Sequence, residues 1–274
     1  MRARLIAGLM AVFFSAATTQ WTWQEPCVSE PYAYAWQDER RAIAVTTMEV
    51  DKSVVYVADV QLRSVDDFHT ARPEKGTGRL SDMVKDTDAV LAVNADNYRS
   101  HSYGVIIRDG ECIRQNKSTR HLLAVRRDGS LEVVTDRKTV RAAELARRLT
   151  AQGVPQTFEF GPLLVEDGKA VDFPPSFRLI STSPYRREPR TAIGMIAPLH
   201  YVIVVVDGRK PGYSEGVSLQ TLQQIFLDLG VQTAFNLDGG GSTTLYFLGE
   251  VVNMPSGGKE RSVSDVIMFM ANPS

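Results

Sequence analysis

Apolar residues along the chain fall into short alternating or continuous runs, which predict a protein built mostly of strands. Two Asp-Gly pairs, at 109–110 and 128–129, lie between such runs, and this pair is a strong signal of a β-hairpin. A short helix is predicted near 81–84, and a longer one over 139–149, where apolar residues recur at helical spacing. The strands predicted in the first two thirds span 42–50, 54–62, 89–93, 104–107, 111–113, 122–125, 131–134 and 158–165.

The C-terminal third predicts a strand, a helix and a second strand in succession. Residues 200–206 form a β-branched run, typical of a strand covered on both faces. Ser218 is suited to cap a helix with apolar residues at helical spacing, and Gly230 is suited to end it. A strand over 233–237 follows. This order predicts a parallel β-α-β unit.

The predicted β-α-β unit places two carboxylates together. Asp207 and Asp238 come directly after its two strands, and the carboxyl ends of parallel strands lie at one edge of a sheet. Arg209 would converge on the same edge. The expected fold class is α+β, with mixed β-sheets, a C-terminal parallel β-α-β unit and helices packed on the sheet.

The N-terminus has the pattern of a secretory signal. Arg2 and Arg4 precede the apolar run 5–17, which is too short to span a bilayer comfortably and ends in small residues. An uncleaved anchor or a buried helix are the alternatives. After cleavage no stretch is long and apolar enough to cross a membrane, so the predicted location is secreted or extracytoplasmic. The predicted divisions are a signal peptide at 1–20, a linker or N-terminal arm at 21–41 and one domain at 42–274.

Charge and cysteine content restrict the expected partners. Removal of the signal leaves 29 basic against 32 acidic residues, so nucleic acid is not an expected partner. Cys27 and Cys112 are the only cysteines in the sequence. In an exported protein they could form a disulfide, or they are two unrelated thiols, because sequence does not give the distance between them.

The most distinctive stretch is the glycine-rich segment Asp238-Gly239-Gly240-Gly241-Ser242-Thr243-Thr244. Three consecutive glycines sacrifice backbone entropy, which indicates that another group approaches the main chain closely. Bare N–H groups would suit an anion, and Asp238 could act as a base, a nucleophile or a metal ligand. The alternative is a wide turn in a hairpin formed by the flanking strands.

Polar residues at other predicted strand ends extend this candidate site. Asn94 and Asp96 follow the strand at 89–93, and Arg190 lies at the start of another strand. Carboxylates offer acid, base or covalent chemistry, and guanidiniums suit an oxyanion or a phosphate. Structural ion pairs and loop caps are the alternatives. The sequence lacks the nucleophile-elbow, phosphate-loop and His-Glu-x-x-His patterns.

Several motifs follow one another in the second half of the chain. They are Pro189-Arg190-Thr191-Ala192-Ile193-Gly194, Val206-Asp207-Gly208-Arg209, Gly216-Val217-Ser218-Leu219, the segment 236–244, and Pro255-Ser256 followed by Glu260-Arg261-Ser262-Val263-Ser264. In this order and spacing they resemble the phosphodiester glycosidase family, and especially its bacterial exported branch. The resemblance runs from about residue 89 to the C-terminus. One departure is Asn94-Ala95-Asp96-Asn97-Tyr98, where many relatives carry Asn-Gly-Gly-Phe-Phe or Asn-Gly-Asp-Tyr-Tyr.

The resemblance implies hydrolysis of the glycosidic bond of a sugar-1-phosphodiester, such as one of N-acetylglucosamine, in envelope polysaccharide or exopolysaccharide. It implies Asp238 as the catalytic carboxylate, with Asp207 as the second candidate, and sugar hydroxyls held by Asn94 and Asp96. The residues expected around the phosphate are Arg190, Thr191, Arg209, Asn236, Gly239, Gly240, Gly241, Ser242 and Thr243.

The cofactor and two other functions stay open at this point. No cofactor is expected, although a divalent metal is not excluded by the sequence. The chain could instead be a non-catalytic protein that binds phosphoglycans during polysaccharide assembly. It could also be a metal-dependent phosphodiesterase in which Asp96, Asp207 and Asp238 hold the ion.

Overall fold

The architecture was obtained from a computed structural model, which describes residues 23–28, 31–173 and 183–271. The three α-helices of the described residues are α1 (Leu80–Val84), α2 (Ala142–Ala151) and α3 (Leu219–Asp228). The strands are β1 (Tyr34–Gln37), β2 (Arg41–Val50), β3 (Ser53–Leu62), β4 (His69–Ala71), β5 (Ala89–Asn94), β6 (Gly104–Arg108), β7 (Glu111–Asn116), β8 (Leu122–Val125), β9 (Leu131–Val134), β10 (Gln156–Glu159), β11 (Leu163–Glu166), β12 (Lys169–Ala170), β13 (Arg190–Ala197), β14 (His200–Val206), β15 (Thr233–Asn236), β16 (Leu245–Phe247), β17 (Glu250–Val251) and β18 (Val266–Met270). Single 3₁₀ turns span Val65–Asp67, Tyr98–Ser100 and Gly240–Ser242. The described chain is therefore mostly β-structure, and the predicted α+β class holds only in part.

An eight-stranded antiparallel sheet forms the largest layer, in the order β1-β2-β3-β14-β13-β15-β11-β12. Its central strand β14 is buried along its whole length, as its β-branched sequence predicts. Val202 and Val204 point to one face and pack in the apolar cluster that contains α3. Tyr201 and Ile203 point to the other face and pack in the main core. Alternation along a strand thus explains why both faces need apolar residues.

A second layer covers the main-core face of this sheet. It contains a five-stranded sheet in the order β17-β16-β5-β18-β4 and a three-stranded sheet in the order β10-β8-β9. Leu91 of β5, Phe158 of β10 and Phe269 of β18 share one core with the large sheet. A separate hairpin, β6–β7, packs with α2 on the outer side of the three-stranded sheet. The main core therefore lies between the layers.

The helix predicted after Ser218 is confirmed with its caps. Ser218 Oγ accepts a hydrogen bond from Thr221 N at 3.0 Å, which satisfies one unpaired amide of the first turn. Gly230 adopts a φ of 72°, and Val231 N donates back to Phe226 O at 3.1 Å. Local side-chain chemistry therefore sets both ends of α3.

The predicted parallel β-α-β pairing is wrong. Strands β14 and β15 are not neighbours, because β13 lies between them and pairs antiparallel with each. Because both run opposite to β13, β14 and β15 share one direction, and Asp207 and Asp238 leave the sheet at the same edge. The predicted pairing does not form because β13, which makes a hairpin with β14, lies in the position next to β14 that β15 was expected to take.

Two other predicted elements also differ. The segment 158–165 is divided into β10 and β11, which belong to different sheets. Strands β15 and β16 flank the glycine-rich segment but lie in the eight-stranded and five-stranded sheets, so that segment connects two sheets and is not a hairpin turn. The predicted hairpins β6–β7 and β8–β9 are confirmed by their pairing.

The N-terminal part of the described chain lies against the large sheet. Cys27 N donates to Asp59 Oδ2 of β3 at 2.8 Å, and β1, within the predicted linker or arm, forms an edge of the sheet. Cys27 and Cys112 are both free, so the possible disulfide is not formed. The predicted signal peptide at 1–20 lies outside the described residues. Among the helices of the described residues, none has the length and apolar character required to cross a bilayer.

Candidate active site

The glycine-rich segment crosses from one sheet to the other and is fastened to the end of β5. Asp238 N donates to Ala95 O at 3.0 Å, and Asn94 Nδ2 donates to Asp238 O at 2.6 Å. Asn94 Oδ1 accepts hydrogen bonds from Thr244 N at 3.1 Å and from Thr191 Oγ1 at 2.7 Å. These contacts join the three strand ends that the sequence singled out. They also occupy the polar atoms of the buried Asn94 side chain within the protein.

The carboxylate of Asp238 is enclosed but retains two polar partners. The Ser242 hydroxyl donates to Asp238 Oδ2, and Arg261 Nη2 lies 3.5 Å from the same oxygen and also contacts Ser242 Oγ. Burial raises the pKa of Asp238, whereas the Ser242 hydroxyl and the Arg261 charge lower it. The site therefore holds a carboxylate with a raised pKa beside a guanidinium.

Two half-exposed arginines lie on the glycine turn. A methyl group added at Gly240 would lie 2.9 Å from Arg209 Nη2, and one added at Gly241 would lie 3.2 Å from Arg261 Nη1. Arg209 is held by its Nε, which donates to Glu188 Oε2 at 2.6 Å. Both guanidiniums keep part of their donor set toward solvent. The pair forms a concentration of positive charge suited to a phosphate.

Gly239 allows close packing of main chain on main chain. A methyl group on Gly239 would lie only 2.7 Å from Pro189 O, which no real side chain tolerates. The amide of Gly240 donates to that same carbonyl at 2.9 Å, and the amides of Ser242 and Thr243 donate within the turn. The amides of Gly240 and Ser242 are therefore already used within the protein, and the role of the 239–242 backbone around a phosphate stays a prediction. The arginine side chains are the better anion ligands.

Asp207 lies at the same sheet edge with a different environment. Its carboxylate accepts hydrogen bonds from Asn253 Nδ2 at 2.8 Å, Met254 N at 2.9 Å and Tyr213 OH at 2.9 Å. Burial raises the pKa of Asp207, and these three donors oppose that rise. Asn253 Nδ2 also reaches Thr243 O at 3.3 Å. Asp207 therefore fastens the loop at 253–254, and Asn253 links that loop to the glycine turn.

Arg190 is buried and is directed to main-chain carbonyls. Its Nε donates to Val217 O at 3.1 Å and its Nη2 to Arg186 O at 2.9 Å. Burial lowers its pKa to about 10, and the nearby Glu188 charge opposes this. Arg190 therefore supports the main chain at Arg186 and Val217.

Asn236 and Thr243 are buried beside the turn and are only partly satisfied. Asn236 Nδ2 donates to Gly161 O at 2.9 Å and to Leu237 O at 3.0 Å. Asn236 Oδ1 and Thr243 Oγ1 are buried atoms without a partner in the described part of the chain. These two atoms therefore lie near the site without a hydrogen bond to another described residue.

Asp96 belongs to a buried charge cluster behind the site. Arg108 Nη2 lies 3.4 Å from Asp96 Oδ2, and Arg108 Nε donates to Asp265 Oδ2 at 2.9 Å. Asp96 also accepts amide hydrogen bonds from Tyr98 and Glu159, each at 3.0 Å. Burial raises the pKa of Asp265 to about 7, although the Arg108 charge lowers it. Asp96 thus meets a guanidinium and main chain, where a sugar contact was expected.

The three aspartates proposed as metal ligands have separate partners. Asp96 lies with Arg108, Asp207 with Asn253, and Asp238 with Ser242. Within the described residues no group of three or more histidine, cysteine, aspartate and glutamate side chains is placed to hold a metal ion. A shared ion among the three aspartates is therefore not supported by their positions.

Some residues of the site were not identified from the sequence. Arg261 is the most important, because it contacts Asp238 and the glycine turn from a loop 23 residues further along the chain. The motif at 260–264 contained a signal for it, but spacing alone did not place it at the site. Nothing in the sequence pointed to Glu188 as the partner of Arg209 or to Asn253 as a ligand of Asp207.

Sequence comparisons give one family and one curated relative. The family model described as phosphodiester glycosidase matches residues 87–270, about two thirds of the chain. An uncharacterised protein of the SPβ prophage of Bacillus subtilis strain 168, YomE, is 29% identical over 231 residues. The match covers 81% of this chain and 34% of YomE. The chain therefore spans about a third of the length of that relative.

Solved structures show the same fold at low sequence identity. The zebrafish catalytic domain of N-acetylglucosamine-1-phosphodiester alpha-N-acetylglucosaminidase, auto-inhibited by its pro-peptide, aligns with a TM-score of 0.63 and 18% identity, covering 85% of this chain and 83% of that one. A protein from Burkholderia pseudomallei thought to be exported aligns with a TM-score of 0.57 and 16% identity, covering 80% and 74%. These likenesses establish the fold.

Proposed function

The chain belongs to the phosphodiester glycosidase family, and we propose that it is an exported hydrolase that cleaves the glycosidic bond of sugar-1-phosphodiesters. The observation that carries this proposal is the placement of the Asp238 carboxylate beside Arg261 on a turn that Arg209 also touches. One carboxylate and two cations at one point are the groups that this reaction needs.

The chemistry follows from the leaving group. Cleavage breaks the bond between the anomeric carbon and the phosphate oxygen, and the electron pair leaves with a phosphomonoester. A phosphate is a much weaker base than an alkoxide, so the reaction depends less on a general acid and more on anion stabilisation. Arg209 and Arg261 are the proposed phosphate ligands. Water supplies the oxygen that ends on the sugar.

Asp238 is the proposed reacting carboxylate, acting in its ionised form on the anomeric carbon or on the attacking water. Arg261 and the Ser242 hydroxyl hold the carboxylate, and both lower its pKa against the effect of burial. We assign Asp207 to positioning, because its polar contacts hold the 253–254 loop and Tyr213. Asn94 is also assigned to positioning, because its side chain donates a hydrogen bond to the main-chain carbonyl of Asp238.

The proposed substrate is a phosphate-linked glycan of the envelope or an extracellular polysaccharide, with an N-acetylglucosamine-1-phosphodiester as the first model compound. The name of the zebrafish structural relative suggests this sugar. The basic and apolar pattern of residues 1–20 and the Burkholderia pseudomallei neighbour support export.

The position of bond cleavage tests the proposed function. The protein is incubated in oxygen-18 water with the methyl phosphodiester of N-acetylglucosamine-1-phosphate, and the products are analysed by mass spectrometry. Label in the sugar is the expected result. Label in the phosphate would establish attack at phosphorus and overturn the proposal. Binding without turnover of this compound or of UDP-N-acetylglucosamine would favour a phosphoglycan-binding protein.

A further inference from the structure

A half-buried arginine beside the proposed site has no carboxylate partner among the described residues. Arg120 lies between two aromatic rings, with Cζ 4.9 Å from the ring centroid of Tyr103 and 5.2 Å from that of Phe160. Within the described part of the chain, its guanidinium donates one hydrogen bond, from Nη1 to Asn97 Oδ1 at 3.2 Å. A guanidinium carries five N–H donors, so most of the Arg120 donors have no protein acceptor.

Two buried arginines, Arg108 and Arg137, are matched by carboxylates, whereas the buried Arg190 donates to main-chain carbonyls. Arg108 pairs with Asp265, and Arg137 lies 3.4 Å from Glu159. This matching is expected, because a charge removed from water is costly unless it is paired. Arg120 is the contrasting case, since stacking holds its plane but supplies no negative charge. An anion from outside the chain would complete it.

The residues around Arg120 are held by stacking and hydrogen bonds. His101 stacks on the Tyr103 ring with centroids 3.6 Å apart and an angle of 3° between the planes. His101 Nε2 also lies 3.2 Å from Asn97 Oδ1, the oxygen that Arg120 contacts. Arg114 Nη1 donates to His101 O at 2.9 Å and to Tyr103 O at 3.2 Å, which fastens the loop. A guanidinium held in this way loses little side-chain entropy when it binds a ligand.

Arg120 is close to the proposed reaction centre through a short stretch of chain. Asp238 N donates to Ala95 O, and Asn97, the hydrogen-bond partner of Arg120, is two residues further along. Two residues span at most about 7 Å between their Cα atoms. The charge of Asp96, between them, also raises the pKa of Asp238. A short stretch of chain therefore links the main chain of Asp238 to the side-chain partner of Arg120.

We propose that Arg120 is a second anion-binding subsite, which takes a carboxylate or phosphate group of the substrate other than the phosphodiester that is cleaved. This inference rests on the proposed function. It narrows the substrate class to sugar-1-phosphodiesters that carry a further anionic group, such as a uronic acid or a second phosphate. Planar pairing with a guanidinium suits either group.

Isothermal titration with inorganic phosphate tests the subsite without requiring turnover. Wild-type protein should bind two phosphates, whereas Arg120→Gln should bind one and Arg261→Gln should retain the event that depends on Arg120. The glutamine can still donate to Asn97. The matched control is Arg127→Gln, which removes an exposed arginine paired with Asp66 at 3.1 Å and should leave both events unchanged. Arg120→Lys should keep the second event with roughly tenfold lower affinity, because lysine lacks the planar fork.

Competition by glucuronate against the Arg120-dependent event would identify a carboxylate as the natural group, and its failure to compete would identify a phosphate. Two unchanged binding events in Arg120→Gln, or one event in wild type that only Arg261→Gln removes, would overturn the inference. If Arg120→Gln does not fold, two unaltered binding events in Arg120→Lys would overturn it equally. Failure of the proposed hydrolysis would appear separately, in the oxygen-18 experiment.

Discussion

Replacement of Asp207 by asparagine is predicted to reduce stability more than it reduces activity. The carboxylate of Asp207 accepts hydrogen bonds from Asn253 Nδ2, Met254 N and Tyr213 OH. An asparagine of the same shape keeps one oxygen but places an NH₂ group where the other accepted hydrogen bonds. At least one donor would then face another donor.

The size of the effect follows from these contacts. A hydrogen bond to a charged group contributes about 1.5–3 kcal/mol, and its loss in a buried site is only partly recovered by water. Burial raises the pKa of Asp207 because the charged carboxylate is unfavourable away from water. Replacement by a neutral amide therefore recovers part of the free energy that burying the charge costs. We therefore expect the free energy of unfolding to fall by roughly 2–3 kcal/mol. Because the proposed role is positioning, kcat should fall by no more than about tenfold, or 1.4 kcal/mol.

Urea denaturation and initial rates of phosphodiester hydrolysis measure the two effects separately. Asn253→Ala is the comparison variant, because it removes one Asp207 contact, the link to Thr243 O and the acceptor of Leu245 N while it leaves the carboxylate in place. It should lose stability to a similar degree. An Asp207→Asn protein that unfolds like wild type but has lost turnover would refute the positioning role and make Asp207 a reacting group.

Three further predictions concern the charges behind and beside the site. Arg108→Met should lower the free energy of unfolding by about 3–5 kcal/mol in urea denaturation, because two carboxylates lose their buried cation, and adding Asp265→Asn should relieve part of the loss. The folded-state pKa of Asp265 is raised from 3.8 to about 7. Its contribution to stability is therefore complete below pH 3.8 and is lost as the pH rises through about 7. Urea denaturation at pH 5 and pH 8 should show a decline in the free energy of unfolding that Asp265→Asn reduces. Arg261 lowers the pKa of Asp238, so Arg261→Gln should move the acid limb of the kcat profile to higher pH, and an unmoved limb would contradict the proposed ionised role of Asp238.

The elements that could be predicted from the sequence are those with local causes. Ser218 and Gly230 specify the ends of α3 through hydrogen bonds and a positive φ within a few residues. The β-branched run of β14 reflects burial on both faces. The neighbours of β14 could not be predicted in this way, because periodicity does not reveal that β13 would lie between β14 and β15.

The candidate site was partly accessible from the sequence for the same reason. The glycines indicated a close approach to the main chain, and Gly239 does lie against Pro189. Their spacing could not show that protein backbone approaches Gly239 and that arginine side chains approach Gly240 and Gly241. Arg261 was missed as a site residue because its contact with Asp238 depends on how the loop before β18 folds back. Contacts between distant segments require the tertiary arrangement.

The most direct measurement of the central claim is single-turnover hydrolysis of the N-acetylglucosamine-1-phosphate methyl diester by Asp238→Asn. Loss of one reacting carboxylate should lower the rate by at least about 10³-fold, a barrier increase of roughly 4 kcal/mol. Inorganic phosphate binding and the thermal unfolding transition, measured on the same protein, should show that the fold and the arginine pair remain. A folded Asp238→Asn protein that binds phosphate and turns over substrate at the wild-type rate would contradict the account.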